Sequence, residues 1–247
     1  KNPTNNIGFL EDWKGDGCIA LLECADTLNY FKTHRIPLID LGLSDHNLPI
    51  QRVVTDNKQT AYLAAEHFRD QGYREVFALS PAGLKMYEER LQYFQAYMEK
   101  DGGTVHVMQS DHIYPGVITE LKQEAKRRKK NIHEFSIGFL AYEDAMAAEL
   151  ISLLLKHELR VPENVAVLGV DNDDLINSGL TLGLSSIDSD LEGLGIRAAQ
   201  ELKKILNQPT PAQSPPIIRH KPRGVIARHS TDCYAVRNPI VSEALHW

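Results

Sequence analysis

The chain is poor in cysteine, in long apolar runs and in positive charge. Its three cysteines, Cys18, Cys24 and Cys233, form no CxxC pair, which predicts reduced thiols in a cytoplasmic protein. No apolar run is long enough to span a bilayer, so no membrane association is expected. The 27 Lys and Arg residues are outnumbered by 33 Asp and Glu residues, and the net charge is −6. We therefore expect that this chain does not itself grip nucleic acid, whose phosphates need basic partners.

Motifs of the common enzyme classes are missing as well. No GxGxxG follows a predicted strand, and there is neither a P-loop nor a GxSxG stretch. The ten histidines are scattered, and the spacing of His106 and His112 suits no common metal site. We expect no catalytic activity, no metal and no cofactor. The opening residues KNPTNN carry no signal-peptide pattern and no initiator Met, so we expect the chain to be a fragment.

What the chain has is a regular alternation of two patterns. Short apolar, β-branched runs predict strands, and stretches with apolar residues at helical spacing predict helices. The predicted strands are 18–25, 36–42, 52–56, 75–81, 104–109, 136–142, 165–171, 184–188 and 223–228. The main predicted helices are 58–73, 86–100, 117–130, 143–159 and 190–208. This alternation predicts an α/β fold with parallel sheets flanked by helices.

The stretch VAVLGVDNDDL (165–175) runs from a buried strand into three acids, Asp171, Asp173 and Asp174. Open α/β sheets place ligands at the carboxyl ends of their strands, so a polar ligand is expected here. One alternative is that Asp171 caps a helix or closes a turn. Another is the nucleophile loop of a haloacid-dehalogenase-like phosphatase, with Asp171 as nucleophile and Asp173 as acid. A third is a sugar, because a carboxylate accepts several O–H donors and a guanidinium donates from a fixed fork.

Several segments, in the same order, resemble those of the LacI-type regulators. DNKQTAYLAAEHFRDQGYREVFALSP (56–81) is similar to their segment in which an Asp precedes a helix and a buried strand. EERLQYFQAYM resembles their "R..GF...L" helix, with Arg90 at the Arg position. FLAYEDAMAAELI is similar to their "ANDxxAxG" segment, with Glu143 and Asp144 at Asn–Asp. The resemblance implies that these positions face an effector.

The later segments continue the same resemblance. VPENVAVLGVDNDDL is similar to "vP.disvvGfDd", which aligns Asp171 with the family's effector-contacting Asp. LSSIDSDLEGLGIRAAQEL resembles "LTTvrqd...lG..A...L". The stretches DWKGDGCIA, IPLIDLG and RGVIARHSTDCYAVRNPIVSEALHW resemble more closely the bacterial xylose-operon regulators. Those proteins join a LacI-like sugar-sensing domain to an AraC-type DNA-binding domain, so the resemblance implies an effector domain whose DNA-binding part is absent from this sequence.

The resemblance also implies a two-lobed, periplasmic-binding-protein-like architecture. We expect an amino-terminal lobe of residues 1–73 plus 186–208, with its first strand, helix and second strand missing from the sequence. We expect a carboxyl-terminal lobe of residues 74–185 plus 213–236. Residues 237–247 are expected to be the linker, or the start of the first helix, of the absent DNA-binding domain.

The implied ligand-binding residues combine acids, an arginine, small polar residues and an aromatic. They are Asp171, Arg90, Asn172, Glu143, Asp144, Ser189 and Trp13. Alternatives remain open for several of them: Arg90 as an exposed surface arginine, Glu143 and Asp144 as helix caps, and Asn172 as a residue that orients Asp171. Tyr87, like Trp13, either stacks on a sugar or packs in the core.

The resulting functional hypothesis is a sugar-sensing domain of a bacterial transcriptional regulator of xylose or pentose use. The ligand, D-xylose in the first instance, would bind between the two lobes. A homodimer would reach operator DNA through the absent domain, without membrane or enzymatic turnover. The alternatives are the phosphatase that uses Asp171 and a periplasmic sugar-binding protein of the same fold.

Overall fold

The computed structural model describes residues 14–22, 25–43, 50–81, 84–109, 116–129, 131–207 and 215–235. The strands are β1 (Cys18–Ala20), β2 (Leu38–Asp40), β3 (Gln51–Thr55), β4 (Glu75–Ser80), β5 (Thr104–Gln109), β6 (Ile137–Leu140), β7 (Val165–Val170), β8 (Ser185–Asp188), β9 (Ile218–His220) and β10 (Gly224–Ile226). The helices are α1 (Ala25–Thr33), α2 (Asn57–Asp70), α3 (Lys85–Lys100), α4 (Gly116–Arg127), α5 (Asp144–Lys156), α6 (Asp174–Gly179) and α7 (Leu191–Asn207). Short 3-10 turns lie at Ile132–Glu134 and His229–Thr231.

The predicted α/β class is confirmed, and the chain divides into two compact units. Unit 1 contains β1, β2, β3 and β9 in that order, and all of its strand pairs are parallel. Alternate residues of β2 point to opposite faces of the sheet. Leu38 packs in a cluster with Leu28 and Phe31 of α1, while Ile39 packs with Leu194 of α7. Helices therefore cover both faces of this sheet, as parallel strands require.

Unit 2 contains a six-stranded sheet in the order β10-β8-β7-β6-β4-β5. Its pairs are parallel except that β10 runs antiparallel to β8. The central strand β7 is buried at all six positions. Val165 and Val167 face a cluster that includes α4 and α5, whereas Leu168 and Val170 face a cluster that includes α2 and α3. A rigid, two-sided core thus fixes where the carboxyl end of β7 emerges.

The boundaries between the units differ from the predicted lobes, because strand pairing and helix packing decide them. Helix α2, which we expected in the first lobe up to residue 73, belongs to unit 2, where its Ala64 and Phe68 pack in the same cluster as Phe94 of α3. Strand β8 also stays in unit 2 through Ser189, because it pairs with β7. Strand β9 belongs to unit 1, because it pairs with β3. The predicted boundaries at 73, 186 and 213 are thus replaced by 56/57, 189/190 and 221/222.

Two elements escaped prediction. Strand β9 lies in a proline-rich stretch for which the sequence predicts no strand, and its pairing with β3 makes it one. Helix α6 has only six residues, too few to show a helical period. No helix in the part of the chain that the structure describes is long and apolar enough to cross a bilayer.

Candidate functional site

Asp171 lies where β7 ends, in an unusual backbone conformation. Its φ is 104°, and Asn172 follows with φ 55°, both in the left-handed region that costs a residue with a Cβ about 1–3 kcal/mol. The Asp171 N–H still donates to the Ile187 carbonyl at 2.8 Å, so the pairing of β7 with β8 continues past the strand. The Asp171 side chain therefore no longer follows the alternating pattern of the strand, while its backbone remains hydrogen-bonded to β8.

The three acids of this stretch have different roles. Asp173 caps α6, because its Oδ1 accepts the N–H groups of Leu175 and Ile176 at 2.8 and 3.1 Å. Asp174 is exposed in the first turn of the helix. Asp171 instead accepts a hydrogen bond from the Ser189 hydroxyl at 2.8 Å. Of the alternatives left open for Asp171, the helix cap is thus occupied by Asp173, and Ser189, only 1% exposed, orients the Asp171 carboxylate.

Arg90 is a buried arginine and not a surface one. Only 4% of it is exposed, although it lies on α3. Its Nε donates to Asn57 Oδ1 at 3.2 Å and one terminal nitrogen donates to the Tyr142 carbonyl at 2.6 Å. Burial lowers the pKa of Arg90, and the negative charge of Asp171 acts in the opposite direction. The guanidinium stays charged at neutral pH and is held rigidly in the electrostatic field of Asp171.

Two tyrosines accompany Arg90. The rings of Tyr87 and Tyr142 have centroids 4.7 Å apart, and the Arg90 guanidinium lies 5.6 Å from the centre of the Tyr87 ring. Burial, and next the charge of Glu143, raises the pKa of Tyr87 to about 12, so its hydroxyl keeps its proton. These three residues, with Leu79 and Leu140, line a small depression. We call Tyr87, Arg90, Tyr142, Glu143 and Asp171 the candidate face.

Glu143 and Asp144, which the sequence treats as a pair, are separated by the fold. Glu143 takes the N-cap position of α5 but makes no side-chain capping bond to that helix. It is partly exposed, and burial together with the charge of Asp171 raises its pKa. Asp144 is only 2% exposed, and its two carboxylate oxygens accept from the Ser186 hydroxyl at 2.6 Å and from the Asp173 N–H at 2.7 Å. Glu143 therefore belongs to the candidate face, while Asp144 braces the turn from inside.

A glycine makes this brace possible. A Cβ on Gly169 would lie 2.1 Å from Asp144 Oδ1, which no structure tolerates. Burial raises the pKa of Asp144 to about 6, against the lowering effect of its bonds to Ser186 and Asp173. Ligand contact at Asp144 stays a prediction, and within unit 2 each of its oxygens accepts one hydrogen bond that holds the turn.

The other predicted site residues divide in the same way. The Asn172 side-chain oxygen accepts from Arg228 at 2.7 Å, and the Asn172 backbone N–H donates to Ser186 Oγ at 3.0 Å. Asn172 therefore holds the turn, and its contact with a ligand stays a prediction. Trp13 lies outside the described residues. Tyr142 and Arg228 were missed by the sequence reading. Tyr142 could have been found, because it comes two residues after the buried strand β6, which pairs with β7 in the same sheet.

The arrangement offers hydrogen bonds and aromatic surface. It pairs carboxylate acceptors with a fixed guanidinium donor, the combination that suits a ligand rich in hydroxyls. The phosphatase alternative needs Asp173 as a free acid, but that side chain caps α6. Within the described residues, no cluster of three His, Cys, Asp or Glu side chains is placed to hold a metal ion. The phosphatase alternative is not favoured.

Comparison with known proteins identifies the type of domain. The family described as periplasmic binding protein-like domain matches residues 65–231. The chain is 28% identical over 244 residues to the xylose operon regulatory protein of Haemophilus influenzae, an alignment that covers 94% of this chain and 61% of that protein. The chain spans about three fifths of the length of the curated relatives it matches. The predicted resemblance to the xylose-operon regulators is confirmed at this level of similarity.

Solved structures show the same fold. A xylose-binding transcription activator has a TM-score of 0.73 at 24% identity, covering 95% of this chain and 63% of that chain. A LacI family regulator from Enterococcus faecalis with bound ribose has a TM-score of 0.71 at 22% identity, covering 92% of this chain and 81% of that chain. The predicted LacI-type architecture is confirmed by these likenesses. With a family match over more than half of its length, the chain belongs to the periplasmic binding protein-like family.

Proposed function

We propose that this chain is the sugar-sensing domain of a bacterial transcriptional regulator, with a pentose, D-xylose in the first instance, as its effector. The observation that carries the proposal is the Asp171 carboxylate, which ends a fully buried strand and is oriented by the Ser189 hydroxyl within the field of the buried Arg90. The partly exposed Asp171 carboxylate keeps acceptor sites beyond its bond from Ser189, and the Arg90 guanidinium has more donors than its bonds to Asn57 and Tyr142 use. A polyhydroxylated ligand can bond to both groups.

The chemistry of the candidate face matches a monosaccharide. An ionised carboxylate has about four acceptor sites, so Asp171 can accept sugar hydroxyls in addition to Ser189. Arg90 is pinned through Asn57 and the Tyr142 carbonyl, so its remaining donors keep a fixed direction. The Tyr87 and Tyr142 rings offer an apolar surface to the C–H face of a sugar ring. Each charge-assisted hydrogen bond contributes about 1.5–3 kcal/mol, so Asp171 and Arg90 would dominate the affinity.

Similarity to known proteins favours a small sugar. Relatives of this chain are xylose operon regulatory proteins, and structures of the same fold include a xylose-binding activator and a ribose-bound regulator. These similarities support a pentose as the effector, and D-xylose as the sugar to test first.

DNA binding is expected of a part of the regulator outside this chain. The matched relatives are longer than this chain, and the stretch RHSTDCYAVRNPIVSEALHW resembles the passage that leads into an AraC-type DNA-binding domain. We therefore propose that operator DNA is bound by such a domain outside this chain, in a cytoplasmic homodimer without enzymatic turnover. The same stretch and the regulator relatives speak against a periplasmic sugar carrier.

Isothermal titration calorimetry tests the proposal. We expect D-xylose to bind with a measurable heat, and L-arabinose, D-ribose and D-glucose to bind at least about tenfold more weakly, a difference of about 1.4 kcal/mol. Asp171→Ala is expected to abolish binding, whereas Asp174→Ala, which changes an exposed acid three residues away, should leave the affinity unchanged. A folded chain that binds none of the four sugars would overturn the proposed effector class.

A further inference from the structure

A short segment after β10 is anchored in unit 2 by buried hydroxyl groups. Ser230 donates to the Val167 carbonyl at 2.6 Å and accepts from the Ser185 N–H at 2.8 Å. Thr231 Oγ1 donates to Ser185 Oγ at 2.7 Å. All three residues are fully buried. We call Ser185, Ser230 and Thr231 the hydroxyl seam; it joins the segment Arg228–Ala235, called here the anchored segment, to β7 and β8.

The anchored segment is also bound to the end of α2 and the turn that follows it. The His67 ring nitrogen Nε2 lies 2.9 Å from Thr231 Oγ1, and the Gln71 side chain donates to the Thr231 carbonyl at 2.5 Å. Tyr73 donates to the Cys233 carbonyl at 3.1 Å, and the Ala235 N–H donates to the Gln71 carbonyl at 2.8 Å. The segment therefore has one defined position in unit 2.

Arg228 connects this segment to the turn that presents Asp171. One terminal nitrogen donates to Asn172 Oδ1 and the other to the Leu184 carbonyl, each at 2.7 Å. The Arg228 N–H donates to Ser185 Oγ at 2.7 Å. Two charge-assisted bonds from one planar guanidinium fix both direction and distance. Arg228 thereby ties the hydroxyl seam to a residue next to Asp171.

The turn needs such support. Asp171 and Asn172 both have positive φ values, and conformations of this kind persist only when their surroundings over-determine them. The Asp171, Asn172 and Asp173 N–H groups donate to the Ile187 carbonyl, to Ser186 Oγ and to Asp144 Oδ2. The Asn172 side chain is the part of the turn that Arg228 holds directly.

We infer that Arg228 is a positioning residue that holds the Asp171–Asn172 turn in its binding conformation and links it to the anchored segment. The inference about binding rests on the proposed function. Because coupling between two sites is reciprocal, occupation of Asp171 by a ligand then stabilises the anchored segment, which precedes residues 236–247 in the sequence. An effector's arrival at the candidate face is thus transmitted to the start of the chain's last stretch.

Amide hydrogen exchange tests the positioning role without any sugar. In Arg228→Met we expect the Asp171, Asn172 and Asp173 amides to exchange about tenfold faster or more, the equivalent of losing about 1.4 kcal/mol of protection against opening. The control is Arg223→Met, the same change at an arginine whose ion pair is with Asp188. Unchanged exchange at all three amides in Arg228→Met would overturn the inference.

A double-mutant cycle tests the link to binding. Asn172→Gly removes the acceptor while accommodating the positive φ, and it leaves the bonds of Arg228 to Leu184 and Ser185 in place. Each single variant is expected to weaken D-xylose binding about tenfold. The double variant is expected to bind no more weakly than the single variant with the lower affinity. Additive losses, or normal affinity in Arg228→Met, would contradict the inference. If the unmodified chain binds no sugar, the proposed function fails and the exchange measurement alone decides the role of Arg228.

Discussion

The candidate face and the hydroxyl seam lie in the same unit and treat polar groups in opposite ways. In the seam, three neutral hydroxyl residues are fully buried and bonded to one another and to the backbone. On the face, Asp171 and Glu143 keep their charges partly exposed beside the buried Arg90. Neutral groups that are hydrogen-bonded to one another inside the protein add stability and need no ligand. Charged side chains fixed at a surface can still form hydrogen bonds with a ligand. One sheet thus carries both the buried hydroxyl groups that fix the anchored segment and the charged groups proposed to bind the ligand.

Replacing Asp171 is expected to have the largest effect, because it removes ligand affinity and leaves the unfolding free energy nearly unchanged. In Asp171→Gly the carboxylate is lost and φ of 104° becomes comfortable. We expect D-xylose affinity to fall about a thousandfold, roughly 4 kcal/mol. The unfolding free energy should stay within about 1 kcal/mol of that of the unmodified chain, because relief of the positive φ offsets the acceptor that the buried Ser189 hydroxyl loses. Calorimetry and urea denaturation measure the two quantities. A loss of stability as large as the loss of affinity would show that Asp171 is a structural acid.

Gly169→Ala attacks the brace beneath the turn. The new Cβ would collide with Asp144 Oδ1, so the bonds of Asp144 to Ser186 and Asp173 must shift. We expect about 3 kcal/mol of destabilisation in urea denaturation. Gly195→Ala is the matched control, since nothing lies within 4 Å of its Cβ position in α7; it should stabilise by about 0.5–1 kcal/mol. A neutral effect of Gly169→Ala would mean that Asp144 is free to move.

Ser230→Ala opens the hydroxyl seam. It leaves the buried Ser185 N–H without the oxygen that accepts it, which costs about 2 kcal/mol of unfolding free energy. Because Ser230 reaches the Asp171 turn only through Ser185 and Arg228, we expect D-xylose affinity to fall about threefold, which is less than about 1 kcal/mol and well below the loss of stability. Ser178→Ala, at an exposed serine of α6, is the control for stability. An affinity loss that equals the stability loss would merge the two regions that the structure separates.

The pH dependence of stability sharpens the role of Asp144. Its pKa is raised to about 6 in the folded chain by burial, above the usual value near 3.9. The folded state therefore holds this proton more tightly, and the stability that protonated Asp144 contributes is complete below about pH 4 and is lost as the pH rises through about 6. We expect Asp144→Asn to reduce the decline in unfolding free energy between about pH 4 and pH 7 by about 1 kcal/mol. Asp174→Asn, at an exposed acid, should leave the dependence of unfolding free energy on pH unchanged. If Asp144→Asn also left it unchanged, the raised pKa of Asp144 would be refuted.

Much of the fold was predictable because its strands and helices are strongly patterned. The buried apolar run of β7 and the helical spacing of apolar residues in α2, α5 and α7 are enough to predict these elements from local sequence. The unit boundaries were not predictable, because β9 becomes a strand only through pairing with β3, far away in sequence. Helix α2 was assigned to the wrong unit for a similar reason, since only packing shows which sheet covers its apolar face.

The position of the candidate site was predictable from the sequence, but the different roles of its residues were less so. Placing Asp171 and Glu143 at strand ends needed only the rule for parallel sheets. That Asp144 points inward while Glu143 lies at the surface depends on Gly169 and Ser186, which approach from other strands. Arg228 could not have been linked to Asn172 from the sequence, because 56 positions separate them.

Backbone NMR of the chain during a D-xylose titration tests the central claim most directly, because it reports binding and its location together. We predict that saturation moves the amide signals of Arg90, Glu143 and Asp171 most, and those of the hydroxyl-seam residues much less. A spectrum that D-xylose and the other pentoses leave unchanged would contradict pentose binding at the candidate face. So would largest shifts in unit 2 at sites remote from that face.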